Sequence, residues 1–349
     1  MTAILVVNAG SRTLKISCVG PGDSVEPIAS LDAAPRDVGA VAHRVVHGGE
    51  RFRDPVLIDE AVEHELAALT ELAPLHNGPA LDGIGRARAA FPDIPQVAVF
   101  DTAFHATLPA EARTYAVPAR WREEWGIRRY GFHGLSVQWA AERVPVSRLV
   151  VCHLGGGCSV TAVHEGRSVD TTMGFSPLEG VPMATRSGSI DVEIVLHLLR
   201  HGRLSLDEVE EALEHESGLL GLSGTFTRID ELERSDDPRS QLALRVFAYR
   251  IAGAVAGMAT ALNGLDALVF TAGIGEGSPR ARADVCTRLE FLGVELDPDA
   301  NDTAIPDADI GAKGSRVRVV VVRAREDLIA ARAARELLAR VAKSRTQSS

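Results

Sequence analysis

Lysine is scarce in this chain, and no segment of it is strongly basic. Only Lys15, Lys313 and Lys343 are lysines among 37 Lys and Arg residues, and the formal net charge is −10. Nucleic-acid-binding proteins carry basic patches, so this balance argues against a nucleic-acid partner. It leaves phosphorylated small molecules open, because these need only a few well-placed cations. A lysine next to a turn of glycine and small polar residues, at Lys15, is therefore of interest.

Cysteine clusters, a signal peptide and long apolar segments are also missing. The cysteines show no metal-binding spacing, and Cys152 and Cys158 are too far apart for a CxxC motif. We therefore expect buried thiols in a reducing compartment. The N-terminus has no basic signal-peptide region, and no apolar stretch approaches membrane-spanning length. The sequence predicts a cytoplasmic protein with no membrane partner.

Short apolar runs alternate with segments of helical periodicity, which is typical of α/β proteins. The 349 residues, 46% of them hydrophobic, suffice for two domains with buried cores. We predict strands at Ile4–Val7, Lys15–Val19, Gln96–Phe100, Leu149–Cys152, Ser159–Val163, Ala267–Thr271 and Val317–Val322. We predict helices at Glu60–Leu72, Ala80–Ala90, Asp191–Leu199, Leu206–Leu213, Gln241–Leu262, Pro279–Leu289 and Glu326–Ala342. Ser205 and Glu208 form a capping box, and the last helix has an apolar face that predicts packing on a sheet.

Two glycine-rich hairpins of the sequence resemble each other. Ile4–Val19 reads ILVVNAGSRTLKISCV and Leu149–Val163 reads LVVCHLGGGCSVTAV. At one constant offset, Asn8 corresponds to His153 and Gly10 to Gly155. Any α/β protein can contain two glycine hairpins, but small polar residues and glycines in both turns favour backbone amides that face an anion. The repeat predicts a duplicated chain with a nucleotide between its halves.

A third glycine turn, Thr271–Ser278, follows a strongly apolar strand and precedes a helix. A Rossmann interpretation is disfavoured because too few βαβ units follow this turn. A P-loop NTPase is disfavoured because the sequence contains no Walker A motif.

Several short motifs supply the cations and oxygen ligands that Mg²⁺-dependent phosphoryl transfer needs. They are His43–Gly49 around Arg44, Leu75–Asn77, Phe100–His105 with Asp101, Tyr130–Gly134 with His133, and Thr185–Gly188 with Arg186. Each has a structural alternative. A histidine near glycine is more often a hydrogen-bonded structural residue, a loop arginine is usually a surface charge, and an aspartate after a strand often caps a helix. Their joint order along the chain favours chemistry.

These motifs resemble those of the acetate and propionate kinase family. The matching segments are NAGSxxLK, HRVVHGG, LAPLHN, VFDTAFH, RRYGFHG, HLGxGxSV, SVDTTMGFSPLEG, TRSG, SGLLGLSG and FTAGIGE, in order from Asn8 to Glu326. The resemblance implies the duplicated, ribonuclease-H-like fold of actin, Hsp70 and the sugar kinases, with two domains flanking a nucleotide cleft. The expected first domain is 1–104 plus 327–349, and the second, with the nucleotide-binding turns and the dimer interface, is 105–326.

The resemblance also implies a homodimeric acetate kinase that transfers a phosphoryl group directly, in line and reversibly from ATP to acetate, with Mg²⁺ or Mn²⁺. It implies that Arg44 and Arg186 bind the carboxylate and the transferring phosphoryl group, tasks that suit a bidentate guanidinium. His133 would stabilise the phosphoryl group, and Asp101 would lie near the substrate. The metal would lie near Asn8 and Glu326.

The remaining family positions form the nucleotide site, its supporting residues and the acyl pocket. The nucleotide-binding positions are Lys15, His153, Gly155, Gly156, Gly157, Gly273, Ile274, Gly275 and Gly277. The supporting residues are Ser11, Thr13 and His76, and the acyl pocket comprises Val46, Leu75, Phe132 and Pro177. Valine at 46 favours a short acyl chain, although one methylene is worth only about 1–3 kcal/mol.

The chain departs from the family pattern in its turns. Gly156 and Gly277 stand where the family usually has asparagine, Arg12 replaces a serine, and Arg325 replaces an asparagine. The segments between Lys15 and Arg44 and near 142–147 are also short. These departures motivate an alternative, a kinase for another short acid such as propionate or one that uses another phosphoryl donor. A third hypothesis, a nucleotide-binding sensor without turnover, is disfavoured by the retained arginines and His133.

Overall fold

The computed structural model describes residues 2–9, 14–72 and 74–347, with only the backbone described at 71, 72, 74–76, 345 and 347. The chain divides into two compact units. The first comprises Met1–Ala106, Phe132–Trp139 and Arg325–Ser349, and the second comprises Thr107–Gly131 and Ala140–Ala324. The domain bounds expected from the sequence stay a prediction.

The strands and helices of the described residues follow one another as an α/β chain. The strands are β1 (Ile4–Ala9), β2 (Leu14–Val19), β3 (Val25–Ile28), β4 (Ala40–Val45), β5 (Val56–Leu57), β6 (Gln96–Phe100), β7 (Arg148–Leu154), β8 (Cys158–His164), β9 (Arg167–Thr171), β10 (Ala267–Thr271), β11 (Ala308–Asp309) and β12 (Arg318–Val321). The helices are α1 (Glu60–Ala68), α2 (Pro74–Ala90), α3 (Ala110–Arg113), α4 (Ala119–Trp125), α5 (Gly134–Arg143), α6 (Val192–Arg200), α7 (Leu206–His215), α8 (Gly218–Ser223), α9 (Ile229–Arg234), α10 (Pro238–Ala261), α11 (Ala272–Gly277), α12 (Pro279–Cys286), α13 (Pro298–Asp302) and α14 (Glu326–Gln347).

The first unit contains one sheet with the strand order β3-β2-β1-β4-β6-β5. β1, β2 and β3 form an antiparallel meander, whereas β1, β4 and β6 are parallel. Side chains alternate between the two faces of a strand. Ile4 and Val6 accordingly pack with Ile329 of α14, and Leu5 and Val7 pack with Ala87 of α2. The predicted packing of the last helix on a sheet is confirmed.

The second unit repeats this topology with the order β11-β12-β10-β7-β8-β9. β7, β8 and β9 form the meander, and β7, β10 and β12 are parallel. The meander β7-β8-β9 therefore corresponds to β1-β2-β3, with β10 and β12 in the places of β4 and β6. This order confirms the duplicated α/β fold that the two similar hairpins predicted.

Helix α10 is long and apolar enough to cross a membrane by length and composition, and half of its most apolar window is buried in the structure. The expectation that no segment approaches this length is therefore wrong. The helix contacts β7, β8 and three helices of the second unit, as a core helix does. Asp237 caps its N-terminus, so it begins at Pro238, three residues before the predicted start.

Most predicted elements are confirmed with bounds shifted by a few residues, and the capping box of Ser205 and Glu208 is present. Two differences matter for the site. Strand β4 was missed, because His43 and Arg44 interrupt its apolar alternation. The turn at Thr271–Ser278 contains a helical turn of its own, α11, which begins directly after β10.

Candidate active site

Polar side chains follow the apolar core at the carboxyl ends of three neighbouring strands in the first unit. The core that packs on α14 includes Val6 of β1, Ala42 of β4 and Val99 of β6. Asn8, Arg44 and Asp101 each stand two positions further along. A separation of two residues keeps a side chain on the same face of a strand. The strand period thus brings three predicted site residues to one edge of the sheet, on the side of α14.

Arg44 is the centre of this cluster. Its Nε and Nη2 donate to the two carboxylate oxygens of Asp101 at 2.9 and 2.5 Å, and its Nη1 donates to Asn8 Oδ1 at 3.1 Å. Glu326, the first residue of α14, places Oε2 3.5 Å from the same Nη1 and accepts from Asn8 Nδ2 at 3.4 Å. Four residues predicted from separate motifs therefore form one hydrogen-bonded network.

The network fixes both the charge and the direction of Arg44. Burial alone would lower the pKa of this guanidinium, but Asp101 and Glu326 raise it above its ordinary value. Asp101 is 1% exposed, whereas the side chains of Arg44 and Glu326 retain 18% and 19% exposure. The carboxylate thus acts as a buried anchor, while the guanidinium and Glu326 can reach a ligand.

His133 lies in a strained turn tied to this network. Its φ is +60°, an uncommon value for a residue with a side chain. The next residue, Gly134, donates its N–H to the carbonyl of Asp101 at 3.0 Å, and a side chain there would collide with that carbonyl. Strain of this kind persists where the surroundings determine it, often at functional sites. The backbone of Asp101 therefore positions the half-buried His133.

The two histidines that flank the Arg44 segment are structural in this arrangement. His43 is buried and its Nε2 pairs with Gln96 Oε1 at 2.8 Å. Burial lowers the pKa of His43 to about 4. His47 is buried, and its Nδ1 accepts from the N–H of Gly49 at 2.9 Å. Asn77 holds the backbone of His47 through both its amide atoms.

The predicted acyl-pocket residues are distributed over both units. Phe132 is buried in the first unit, edge-on to the His47 ring at a centroid distance of 5.5 Å, and its carbonyl pairs with His105 Nε2 at 2.9 Å. Val46, half-buried, adjoins His47 in the same unit. Pro177 is buried in the second unit. The side chain of Leu75 lies outside the described residues.

The second unit brings the β7–β8 turn and the Arg186 loop together. The turn closes through Gly155 N–H to the Gly157 carbonyl at 3.0 Å, and Ala184 N–H donates to the Gly156 carbonyl at 3.3 Å. The loop is held from the other side, since Leu219 N–H bonds the Met183 carbonyl at 2.9 Å. Two motifs that are thirty residues apart in sequence thus form one surface.

Arg186 itself has partners that the sequence did not suggest. Its Nε lies 3.2 Å from Glu214 Oε2, and its Nη1 donates to the Pro177 carbonyl at 3.2 Å. Burial raises the pKa of Glu214 and Arg186 partly offsets that rise. Glu214 lies in a segment rich in glutamate, Glu208–Glu216, so nothing in the sequence distinguishes it from its neighbours.

The α11 turn contacts the same surface and has an internal support. A side chain at Gly155 would touch the Ala272 Cβ at 3.6 Å. The fully buried Arg282 donates from Nη1 to the carbonyls of Gly275 and Glu276, both at 2.9 Å, and from Nε to Asn301 Oδ1 at 2.8 Å. It thereby caps the end of α11. In the sequence, Arg282 is only a charged residue at the fourth position of a polar helix.

The remaining nucleotide positions have open or accessible surroundings. Gly156, Gly273 and Gly277 are exposed, and a side chain at each would meet no atom within 4 Å. Lys15 is exposed on β2 opposite Asn8. His153 is buried at the end of β7, and Gly275 and Ile274 are buried within α11. Ser11 and Thr13 lie outside the described residues, as does the side chain of His76.

The described residues contain no group of three or more His, Cys, Asp or Glu that could hold a metal ion by themselves. The Asn8 and Glu326 oxygens are the hard ligands that Mg²⁺ prefers, and Mg²⁺ in kinases takes few protein ligands besides phosphates and water. The donor set therefore fits a nucleotide-bound Mg²⁺.

The four cysteines are free, and burial raises the pKa of Cys158 and Cys286 to about 12, so neither is a reactive thiolate at neutral pH.

Comparison with known proteins gives consistent matches. The acetokinase family matches residues 29–332. An acetate kinase of Cyanothece sp. is 45% identical over 304 residues, which cover 84% of this chain and 74% of the relative. The solved acetate kinase of Porphyromonas gingivalis has a TM-score of 0.88 at 31% identity, covering 97% of this chain and 100% of that one. A propionate kinase of Francisella tularensis has a TM-score of 0.87 at 34% identity, covering 95% and 99%.

Proposed function

Because this chain belongs to the acetokinase family, we propose that it is an acetate kinase that phosphorylates acetate with ATP. A carboxylate oxygen of acetate attacks the γ-phosphorus, the bond to the bridging oxygen breaks, and ADP leaves as acetyl phosphate forms. The reverse reaction follows the same path. The observation that carries the proposal is the Arg44 network, in which four motif residues join at one sheet edge.

Arg44 and Arg186 supply the positive charge for this transfer. Phosphoryl transfer depends on positioning and on neutralising charge over the phosphoryl oxygens. Asp101 orients Arg44 through two parallel hydrogen bonds, and Glu214 and the Pro177 carbonyl orient Arg186. We assign both guanidiniums to the acetate carboxylate and the transferring group, with His133 as an additional donor to the phosphoryl oxygens.

Asn8 and Glu326 are proposed to hold the metal. When bound there, Mg²⁺ would neutralise negative charge on the phosphate oxygens. Glu326 offers a partly exposed carboxylate, and Arg44 and Asn8 hold it at the start of α14. Ligands fixed in this way lose little freedom when the ion binds.

The turns of the second unit are proposed to bind ATP. Exposed backbone at Gly156 and Gly273, with half-buried Gly155 and Gly157 beside the first, allows phosphate and nucleoside groups to approach closely, and the exposed Lys15 offers a cation. The absence of side chains at Gly156 and Gly277 predicts weaker ATP binding than an asparagine would give. Use of ATP supports placement of the enzyme in the cytoplasm.

A homodimer is supported by helix α6 of the second unit. No residue of this helix is buried, although six of its nine residues are Val, Ile or Leu. Val192 and Ile194 are 69% and 50% exposed. Contiguous exposed apolar surface marks an interaction site, and we assign this one to a second copy of the chain.

The experiment that tests the function is a panel of acids and phosphoryl donors, with acyl phosphate trapped as hydroxamate. We expect acetate with ATP and Mg²⁺ to give the highest turnover, and Arg186→Ala to abolish it. Higher turnover with propionate would favour the alternative, which the propionate kinase relative supports. Nucleotide binding without any acyl phosphate would contradict the kinase assignment and favour a sensor.

A further inference from the structure

A carboxylate in the second unit joins Tyr115, which lies outside the family motifs, to Arg129, the second residue of the RRYGFHG motif. Glu179 accepts from the Tyr115 hydroxyl through Oε2 and from Arg129 Nη2 through Oε1 at 2.8 Å. The Tyr115 oxygen in turn accepts the Phe175 N–H at 2.8 Å. Burial, followed by the hydrogen bond to Glu179, raises the pKa of Tyr115, so its hydroxyl stays a donor at neutral pH.

Arg129 ties the same carboxylate to the end of β9. Its Nη1 lies within hydrogen-bond distance of three successive carbonyls, Thr171, Thr172 and Met173, at 2.9, 3.0 and 3.1 Å. Its side chain is 16% exposed. One guanidinium therefore fixes the start of the loop that follows β9, and through Glu179 it also fixes the end of that loop.

The loop between these anchors is tightly packed. Gly174 lies beside the Glu179 carboxylate and the Tyr115 hydroxyl, and a side chain at this position would collide with both. The Gly174 carbonyl also accepts the Tyr130 N–H at 3.0 Å. Together these contacts hold the loop in one conformation.

Pro177 lies inside this loop. Its carbonyl accepts from Arg186 Nη1 at 3.2 Å, and its ring is a proposed wall of the acyl pocket. A shift of the loop would move the pocket wall and one of the groups that orient Arg186 at the same time. Small displacements of this kind have large effects on reacting groups.

We propose that Tyr115, Arg129 and Glu179 form a clamp of positioning residues that sets the acyl-chain preference and the orientation of Arg186. The proposal rests on the acetate kinase function proposed above. Among the described residues, none of the hydrogen bonds of the clamp reaches the turns at Gly155–Gly157 and Thr271–Ser278, so we expect it to act on the acid and not on ATP.

The kinetic test uses Tyr115→Phe, Glu179→Gln and the double variant. A hydrogen bond to a charged group is worth enough for about a tenfold change, so we expect the KM for acetate to rise about tenfold in each single variant. The KM for ATP should stay within about twofold, and the ratio of kcat/KM for propionate to acetate should change. Because both residues act through one contact, the double variant should resemble a single variant. The matched control is Asp266→Asn, which removes the ion pair between Asp266 and Arg148, the first residue of β7. This variant should change none of these values.

A second measurement tests whether the clamp exists independently of the proposed enzymatic function. Hydrogen exchange at the Phe175 amide should become about tenfold faster in Tyr115→Phe, while exchange in β7 and β8 stays unchanged. This variant removes a single oxygen, so it reports on the clamp even where Glu179→Gln does not fold. Unchanged exchange at Phe175, or faster exchange with an unchanged KM for acetate, would overturn the proposal. A wild-type protein that forms no acyl phosphate would refute the function, and hydrogen exchange would still decide whether the clamp exists.

Discussion

At the residue scale, Arg44 takes its direction from the neighbours that the sheet provides. Both carboxylate oxygens of Asp101 accept hydrogen bonds from Arg44, and Asn8 and Glu326 lie close to its Nη1 atom. The four residues come from four places in the chain, so the geometry exists only in the folded sheet. The planar guanidinium of arginine can make two parallel hydrogen bonds to one carboxylate, and the ammonium group of lysine cannot.

Arg44→Lys should therefore lower kcat/KM for acetate by about 10²–10³-fold, the range measured when one preorganised donor is removed from an active site. The charge is retained, but the two parallel bonds to Asp101 are not. Steady-state kinetics with the hydroxamate assay checks this. The control is Arg148→Lys, at a half-buried ion pair in which Nε and Nη2 of Arg148 both donate to Asp266 Oδ1. It should leave kcat/KM unchanged, and equal losses in both variants would refute a special role for Arg44.

Gly156 allows the opposite kind of test, a gain of binding. The position is exposed and has open space around it, so Gly156→Asn restores the residue usual in the family without a collision. One added neutral hydrogen bond should lower the KM for ATP about two- to tenfold. Gly156→Ala makes the same backbone change without the amide and should not lower it. If the alanine variant matches the asparagine variant, the phosphate contact is absent.

At the element scale, the alternation of side chains made part of the site predictable. Asn8 and Asp101 were found because each closes an apolar strand, and His133 because it stands between glycines. Strand β4 was missed because its polar residues, His43 and Arg44, interrupt the apolar pattern that predicts a strand. Glu214 could not have been found, since its role arises from a contact between α7 and the Arg186 loop. The role of Arg282 arises from contacts of α12 with α11 and α13, which no local pattern encodes either.

His43 makes the free energy of unfolding of the first unit, around strand β4, depend on pH. Gln96 Nε2 donates to the Phe91 and Ile94 carbonyls, so Gln96 Oε1 accepts from His43 Nε2–H. Within the described residues Nδ1 has no hydrogen-bond partner. Burial, reinforced by Arg88, lowers the pKa of His43 to about 4, whereas an unfolded histidine titrates near 6.5.

A lowered folded-state pKa means that the stabilisation is complete above about pH 6.5 and is lost as the pH falls toward 4. The loss should be on the order of 3 kcal/mol. Urea unfolding at pH 7 and pH 4.5, followed by hydrogen exchange of β4 and β6, measures it in the first unit. His43→Leu should reduce the difference between the two pH values, and His64→Leu, at an exposed position on α1, should not. An unchanged pH dependence in His43→Leu would contradict the account.

At the scale of the whole molecule, two units share one topology but carry different polar residues. The first carries Arg44 and Asp101 at one sheet edge with Glu326 at the start of α14, and the second carries glycine turns and Arg186. The duplication was visible in the two hairpins, because a strand, a polar residue and a glycine turn recur at a constant offset. Periodicity predicted helix α6, but it could not indicate that the apolar residues of this helix are exposed.

The proposed dimer surface can be tested by charge. Ile194→Glu places a carboxylate in the exposed apolar surface of α6, and burying it in an interface would be costly. Sedimentation velocity should show a dimer for the wild type and a shift toward monomer for the variant. Ile305→Glu alters a residue that is 75% exposed elsewhere and should remain dimeric. A dimer that survives Ile194→Glu would place the interface on another surface.

As a member of the acetokinase family, this chain is expected to transfer a phosphoryl group between ATP and acetate. Phosphorus-31 NMR of the protein with ATP, Mg²⁺ and acetate measures this directly. We predict that acetyl phosphate and ADP appear in equal amounts, that ATP reappears when the products are supplied, and that neither occurs with Arg186→Ala. Spectra that show no acetyl phosphate, or ADP and inorganic phosphate that form without acetate, would contradict the account.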